Sequence, residues 1–97
     1  MRALVSTKIG GPETLVIEQF DDPLPQQHEV VISIKACGIN FPDTLITRDK
    51  YQIKPERPFA PGGEWAGVVE QIGAHVTHLK IGDRVAATTL YGGLSEK

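Results

Sequence analysis

The sequence predicts a mostly β domain, a small barrel or sandwich, with one short helix. Three observations predict it. Apolar residues recur with a period of two along most of the chain. Ten Gly and seven Pro fall between those stretches as punctuation, and a single segment carries a helix start. With 97 residues, 40% hydrophobic and 23% charged, the chain has the size and composition of one folded domain.

The elements follow in order. Arg2 to Thr7 is a weak first strand, closed by Gly10-Gly11-Pro12, and Leu15 to Phe20 is a second, ended by Pro23 and Pro25. Glu29 to Ala36 places Val30, Ile32, Ile34 and Ala36 on one face and Val31, Ser33 and Lys35 on the other, the pattern of a half-buried strand. Asn40-Phe41-Pro42-Asp43 breaks the alternation as a helix start: Asn at the N-cap, Pro in the first turn, an acid at the third position. Phe41 and Leu45 then share a face, and the helix has room for about two turns before Asp49-Lys50-Tyr51. After a Pro-rich bend from Pro55 to Gly63, Glu64 to Ile72 reads as a long strand, with Gly67 marking a bulge or a close backbone approach. Gly82-Asp83 introduces a last strand, Arg84 to Thr89.

Composition excludes several functions. Ten Lys and Arg against twelve Asp and Glu, spread thinly, give no electrostatic footprint for nucleic acid or a membrane surface. No apolar run approaches the ~20 residues of a spanning helix, and the first eight residues are not expected to act as a secretory signal. A single cysteine forbids an internal disulfide, which fits a reducing compartment, the cytoplasm.

The candidate chemistry is sparse. Cys37, His28, His75 and His78 are the nitrogen and sulfur ligands on offer, without the spacing of a zinc site, and His75 and His78 read as solvated loop residues. Neither a phosphate-cradling glycine loop nor a nucleophile elbow occurs. Two clusters stand out. In the first, Asn40 caps the helix and Asp43 reaches back in a capping box, with Tyr51 a few residues on. In the second, Pro61-Gly62-Gly63-Glu64, Glu64 opens a strand on the same side as Ala66 and Val68, which carries a carboxylate toward an apolar face. Either Arg84 pairs with it or it borders a pocket.

The order of the motifs says more than any one of them. Gly11-Pro12-Glu13, Ala36-Cys37-Gly38-Ile39-Asn40-Phe41-Pro42-Asp43, Arg48, Tyr51, Pro58, Pro61-Gly62-Gly63-Glu64-Trp65-Ala66-Gly67, Gly82-Asp83-Arg84-Val85 and Gly92-Gly93 together resemble the N-terminal, GroES-like catalytic domain of the medium-chain dehydrogenases/reductases. Within that superfamily the chain is most similar to the NADPH-dependent quinone oxidoreductases. The resemblance implies a partly open β-barrel over residues 1–97. It also implies a strand still to come after Gly92-Gly93-Leu94-Ser95-Glu96-Lys97, and a dinucleotide-binding Rossmann domain outside these residues. The zinc-dependent alcohol dehydrogenases carry a Cys and a His as zinc ligands where this chain has Asn40 and Gly63, so the resemblance implies no metal.

By the same resemblance Asn40 binds the NADPH cofactor near the nicotinamide carboxamide or ribose. Tyr51 flanks a flat quinone or enone substrate, and Asp43, Glu64 and Gly63 support them. The complete protein is then expected to be a cytoplasmic homodimer. The Gly often found shortly before Tyr51 is replaced by Asp49-Lys50, which bears on how Tyr51 is aimed. Two other readings compete: a non-catalytic interaction module that keeps the fold, and a zinc-dependent alcohol dehydrogenase.

Overall fold

A computed structural model describes all of residues 1–97. Five strands and two short helical segments run in the order β1 (Arg2–Val5), a 3-10 turn (Pro12–Thr14), β2 (Val16–Gln19), β3 (Val30–Gly38), α1 (Phe41–Ile46), β4 (Glu64–Ile72) and β5 (Arg84–Thr88). Each strand expected from the alternation is present, and β4 has the expected limits. No helix is long and apolar enough to cross a membrane.

β1 and β2 form an antiparallel pair, and β3, β4 and β5 form an antiparallel sheet in that order. Residues 94–96 stitch the two together. Leu4 N–H donates to the Leu94 carbonyl at 2.9 Å, Glu96 N–H to Arg2 at 3.0 Å, and Ile34 N–H to Glu96 at 2.8 Å. A second seam joins Ser6 and Phe59, which exchange backbone hydrogen bonds of 2.8 and 3.3 Å. The strands thus curl into a partly open barrel, with Ala3, Val5, Val31, Ile32, Ile46, Phe59 and Val69 as its core.

The alternation along β3 does not hold as expected. Val31 and Ile32 are neighbours and both are buried. The pairing register with β4 shifts between Val31 and Ile32 and again between Ile34 and Ala36, and each shift moves the following residues to the opposite face. Gly67 lies beside the second shift. A Cβ there would strike the Ser33 carbonyl and stand 2.7 Å from Ile32 Cγ2, so close backbone approach is the reason for glycine. The extra residue sits opposite it, on β3 at Lys35.

α1 is short because its end is built in. Lys50 N–H donates to the Leu45 carbonyl at 3.0 Å and Asp49 N–H to Ile46 at 3.3 Å, while Asp49 adopts φ 60°. This is a Schellman stop with Asp where glycine is usual, a residue that tolerates the left-handed region better than most. The Asp49-Lys50 replacement therefore keeps the turn that leads the chain to Tyr51.

Candidate functional site

The start of α1, the end of the Pro-rich bend and the end of β5 meet around a small cleft of about 170 Å³. Its lining is Asn40, Pro42, Asp43, Tyr51, Gly63, Glu64, Thr88, Thr89 and Leu90. All five residues singled out in the sequence thus face one space. Larger hollows lie elsewhere, the largest about 640 Å³ beneath Met1, Phe20 and Phe59, but none of them touches Asn40 or Tyr51.

Hydrogen bonds knit the acidic side of the cleft. Asn40 extends from the N-cap of α1 with β-region backbone angles, and Asp43 supplies its half of the expected capping box. Asp43 Oδ2 accepts the Asn40 backbone N–H at 2.8 Å, and its Oδ1 accepts that of Gly62 at 3.2 Å. One carboxylate therefore ties the helix start to the loop preceding β4. Gly62 takes φ 101° there, a conformation open to glycine, and a Cβ would come 2.7 Å from Cys37 Sγ.

Of the two outcomes expected for Glu64, the second holds: it does not pair with Arg84 but borders the cleft, and it also lines a neighbouring hollow together with Ala66. It is exposed, and its Oε2 accepts from Asn40 Nδ2 at 3.0 Å. The reason is its position as the first residue of β4, opposite the glycine that ends β3: the bare backbone of Gly38 lets the side chain turn outward over it.

Besides Pro42, which sits within the helix start, three lining residues were not singled out: Thr88, Thr89 and Leu90. Their approach is set by β5 pairing with β4. Thr89 N–H donates to the Gly63 carbonyl at 2.7 Å, and Thr89 Oγ1 accepts from Trp65 Nε1 at 3.1 Å. The only sequence signal for them is their place at the end of the last strand.

Cys37 is half-buried against Gly62 and Gly93. Burial pushes its thiol pKa up, and the nearby Asp43 and Glu64 charges add to the effect, so the group is a poor nucleophile. His75 does not face His78. It meets His28, with ring nitrogens 3.3 Å apart, on an exposed corner. No group of three or more His, Cys, Asp or Glu converges in a way that could hold a metal ion.

Residues 26–96 match the family model of the alcohol dehydrogenase GroES-like domain. The chain belongs to the alcohol dehydrogenase GroES-like domain family. Over 99% of its length it is 42% identical to a quinone oxidoreductase of Lama guanicoe, of which it covers 30%. Its fold superposes on a probable oxidoreductase from Mycobacterium abscessus with a TM-score of 0.91 at 42% identity, and on the Escherichia coli quinone oxidoreductase complexed with NADPH with a TM-score of 0.90 at 38% identity. In both cases 99% of this chain is covered, against 31% and 29% of the neighbour. This GroES-like domain thus spans about a third of the length of the relatives it matches, and its likeness to quinone oxidoreductases of the medium-chain superfamily extends over nearly all of it. Its cleft lies at one end of the β3–β4–β5 sheet, where strand ends and loops rather than sheet faces supply the polar groups.

Proposed function

We propose that this chain is the N-terminal GroES-like part of an NADPH-dependent, zinc-independent oxidoreductase that delivers hydride to quinones or other α,β-unsaturated carbonyls. The observation that carries the reading is the convergence of Asn40 and Tyr51 on one cleft, in a fold that superposes on a quinone oxidoreductase complexed with NADPH. The sequence following Lys97 is then expected to complete the barrel and supply a dinucleotide-binding domain.

The chemistry of the cleft suits one end of that cofactor. Its lining has two carboxylates and neither Lys nor Arg, which favours an uncharged or cationic ring and repels phosphates. The phosphates therefore belong on the further domain. Asn40 would hold the carboxamide or ribose. Tyr51 would flank the acceptor with its ring face and offer its hydroxyl to the developing oxyanion. When bound, the nicotinamide supplies the hydride. Pro42 and Leu90 contribute apolar surface that helps exclude water. Both Asp43 oxygens accept backbone N–H groups, and Glu64 accepts from Asn40, so neither carboxylate is assigned as a general acid.

Two features support zinc independence. Asn40 and Gly63 stand where the zinc-dependent branch has ligands. A Cβ at Gly63 would lie 2.8 Å from the Thr89 carbonyl oxygen, so the end of β5 fills the space that a larger side chain would need. The complete protein should oxidise NADPH with a panel of small quinones and contain no stoichiometric zinc. Zinc at one equivalent would overturn the metal-free mechanism, and absence of NADPH binding would favour an interaction module.

A further inference from the structure

We propose that Glu64 is a positioning residue, whose carboxylate sets the orientation of the Asn40 amide so that Asn40 recognises a primary carboxamide. The inference rests on the functional reading above and adds to it the group that is read and the residue that fixes the reader.

An asparagine amide is nearly symmetric in shape but opposite in chemistry at its two ends, so an unrestrained one presents either end to a ligand. An ionised carboxylate only accepts hydrogen bonds. The 3.0 Å contact between Asn40 and Glu64 Oε2 therefore requires the NH2 end of Asn40 to face Glu64. The Asp43 N–H donates to the Asn40 backbone carbonyl at 3.1 Å, so the Glu64 contact is the hydrogen bond that orients the amide.

The geometry behind Glu64 is equally specific. Gly38 is its cross-strand partner. Glu64 Cδ, Oε2 and Oε1 lie 3.4, 3.5 and 3.6 Å from where a Gly38 Cβ would stand. The carboxylate thus lies in contact distance over bare backbone, two residues before Asn40. A chain with a large side chain at position 38 would have to lift it away.

After this contact the Asn40 amide keeps one N–H and its oxygen for a ligand. A primary carboxamide supplies the complementary acceptor and donor, whereas an acetyl group supplies an acceptor alone. With the amide fixed, Asn40 cannot turn to suit the acetyl group. Freed from Glu64, it can.

The test uses the complete protein and two ligands, NADPH and its reduced 3-acetylpyridine analogue, with dissociation constants measured by titration calorimetry. The wild type is expected to bind NADPH about tenfold more tightly than the analogue, the effect of one hydrogen bond. In Glu64→Gln, whose amide can donate or accept, and in Glu64→Ala, the ratio should fall to about twofold or less with thermal stability nearly unchanged. Adding Glu64→Gln to Asn40→Ala should have no further effect on NADPH affinity, because Glu64 acts through Asn40. An unchanged ratio in Glu64→Gln, or additive losses in the double variant, would overturn the proposal. Failure of the wild type to bind NADPH would overturn the functional reading itself, and it would appear before any substitution is made.

Discussion

Two polar clusters built on loops differ in almost every physical respect. One surrounds Arg57, in the Pro-rich bend. Its Nε donates to Ser6 Oγ at 3.1 Å, one terminal nitrogen donates to the Thr47 carbonyl at 3.1 Å, and the other faces Asp49 at 3.6 Å. The guanidinium also lies 5.4 Å from the centre of the Phe59 ring. Ser6 is fully buried and Thr47 is 3% exposed. The second cluster is the cleft, where Asn40 and Glu64 are both exposed. The Arg57 cluster holds the end of β1, the end of α1 and the bend together, and each of its guanidinium nitrogens has a partner. At the cleft the amides and carboxylates hold one another in place but leave surface open. Completeness of burial, rather than density of polar contacts, separates a structural junction from a site that a ligand can reach.

The largest expected effect of a single substitution is at the junction. Arg57→Ala removes two charge-assisted hydrogen bonds in a buried setting, although Ser6 Oγ keeps the Lys8 carbonyl and the Thr47 carbonyl keeps the Gly10 N–H, and should lower the unfolding free energy of the complete protein by about 2–4 kcal/mol. Urea denaturation with an unchanged m-value would show it. Arg57→Lys should recover only part of the loss, because an ammonium cannot serve the same three directions. NADPH affinity of the folded fraction should not change. A large loss of affinity would erase the contrast between the two clusters.

Next comes the floor of the cleft. Gly63→Ala puts a methyl 2.8 Å from the Thr89 carbonyl, and backbone there cannot swing away as a side chain would. The expected cost is about 1–3 kcal/mol in the same assay. A neutral result would mean that the end of β5 is free to move, and the steric part of the argument against a ligand at position 63 would fail.

Much of this was legible in the sequence, and the exceptions have a common cause. The strands, the short helix, its cap and its stop are local, and each follows from a few consecutive residues. Gly67 was legible as a close approach because a glycine inside a strand needs a reason. Arg57 was not. Its two hydrogen-bond partners lie 51 and 10 residues away, and it sits in a bend without periodicity. The pairing of Glu64 with Asn40 was not legible either, because the two are 24 residues apart. Parity failed along β3, where two register shifts exchange the faces. The five cleft residues could be named from a resemblance, but their meeting depends on β4 pairing with both β3 and β5.

A smaller effect distinguishes Asn40 as a cap from Asn40 as a ligand-binding group. Asn40→Ala removes the N-cap side chain of α1, at a cost of about 1 kcal/mol. It should also weaken NADPH binding by about tenfold. Asn40→Ser can still cap but lacks the amide, so it should restore stability without restoring affinity. Recovery of both together would make Asn40 structural and move the cleft into the same class as the junction.

The smallest effect concerns Cys37, which lies behind the cleft. Its folded pKa is raised above the ordinary 9.0, mainly by burial, so folding favours the neutral thiol. The folded chain then holds the proton more tightly than the unfolded one, and stability must fall as pH rises past 9.0, where only the unfolded thiol ionises. Below that pH the contribution is constant. The Lys97 ammonium, raised above 10.5 by Asp22 and then Glu70, contributes stability that is lost only above 10.5, so the interval between pH 9 and 10 reports on Cys37. Unfolding free energies measured at pH 7 and pH 9.5 should differ slightly in the wild type, and the part of that difference due to Cys37 should vanish in Cys37→Ala. Alkylation by iodoacetamide at pH 8.5 should be slower in the folded protein than in urea for the same reason. Rapid alkylation of the folded protein would mean that the thiol is ionised beside Asp43 and Glu64, and the acidic side of the cleft would then need a cation that the lining does not supply.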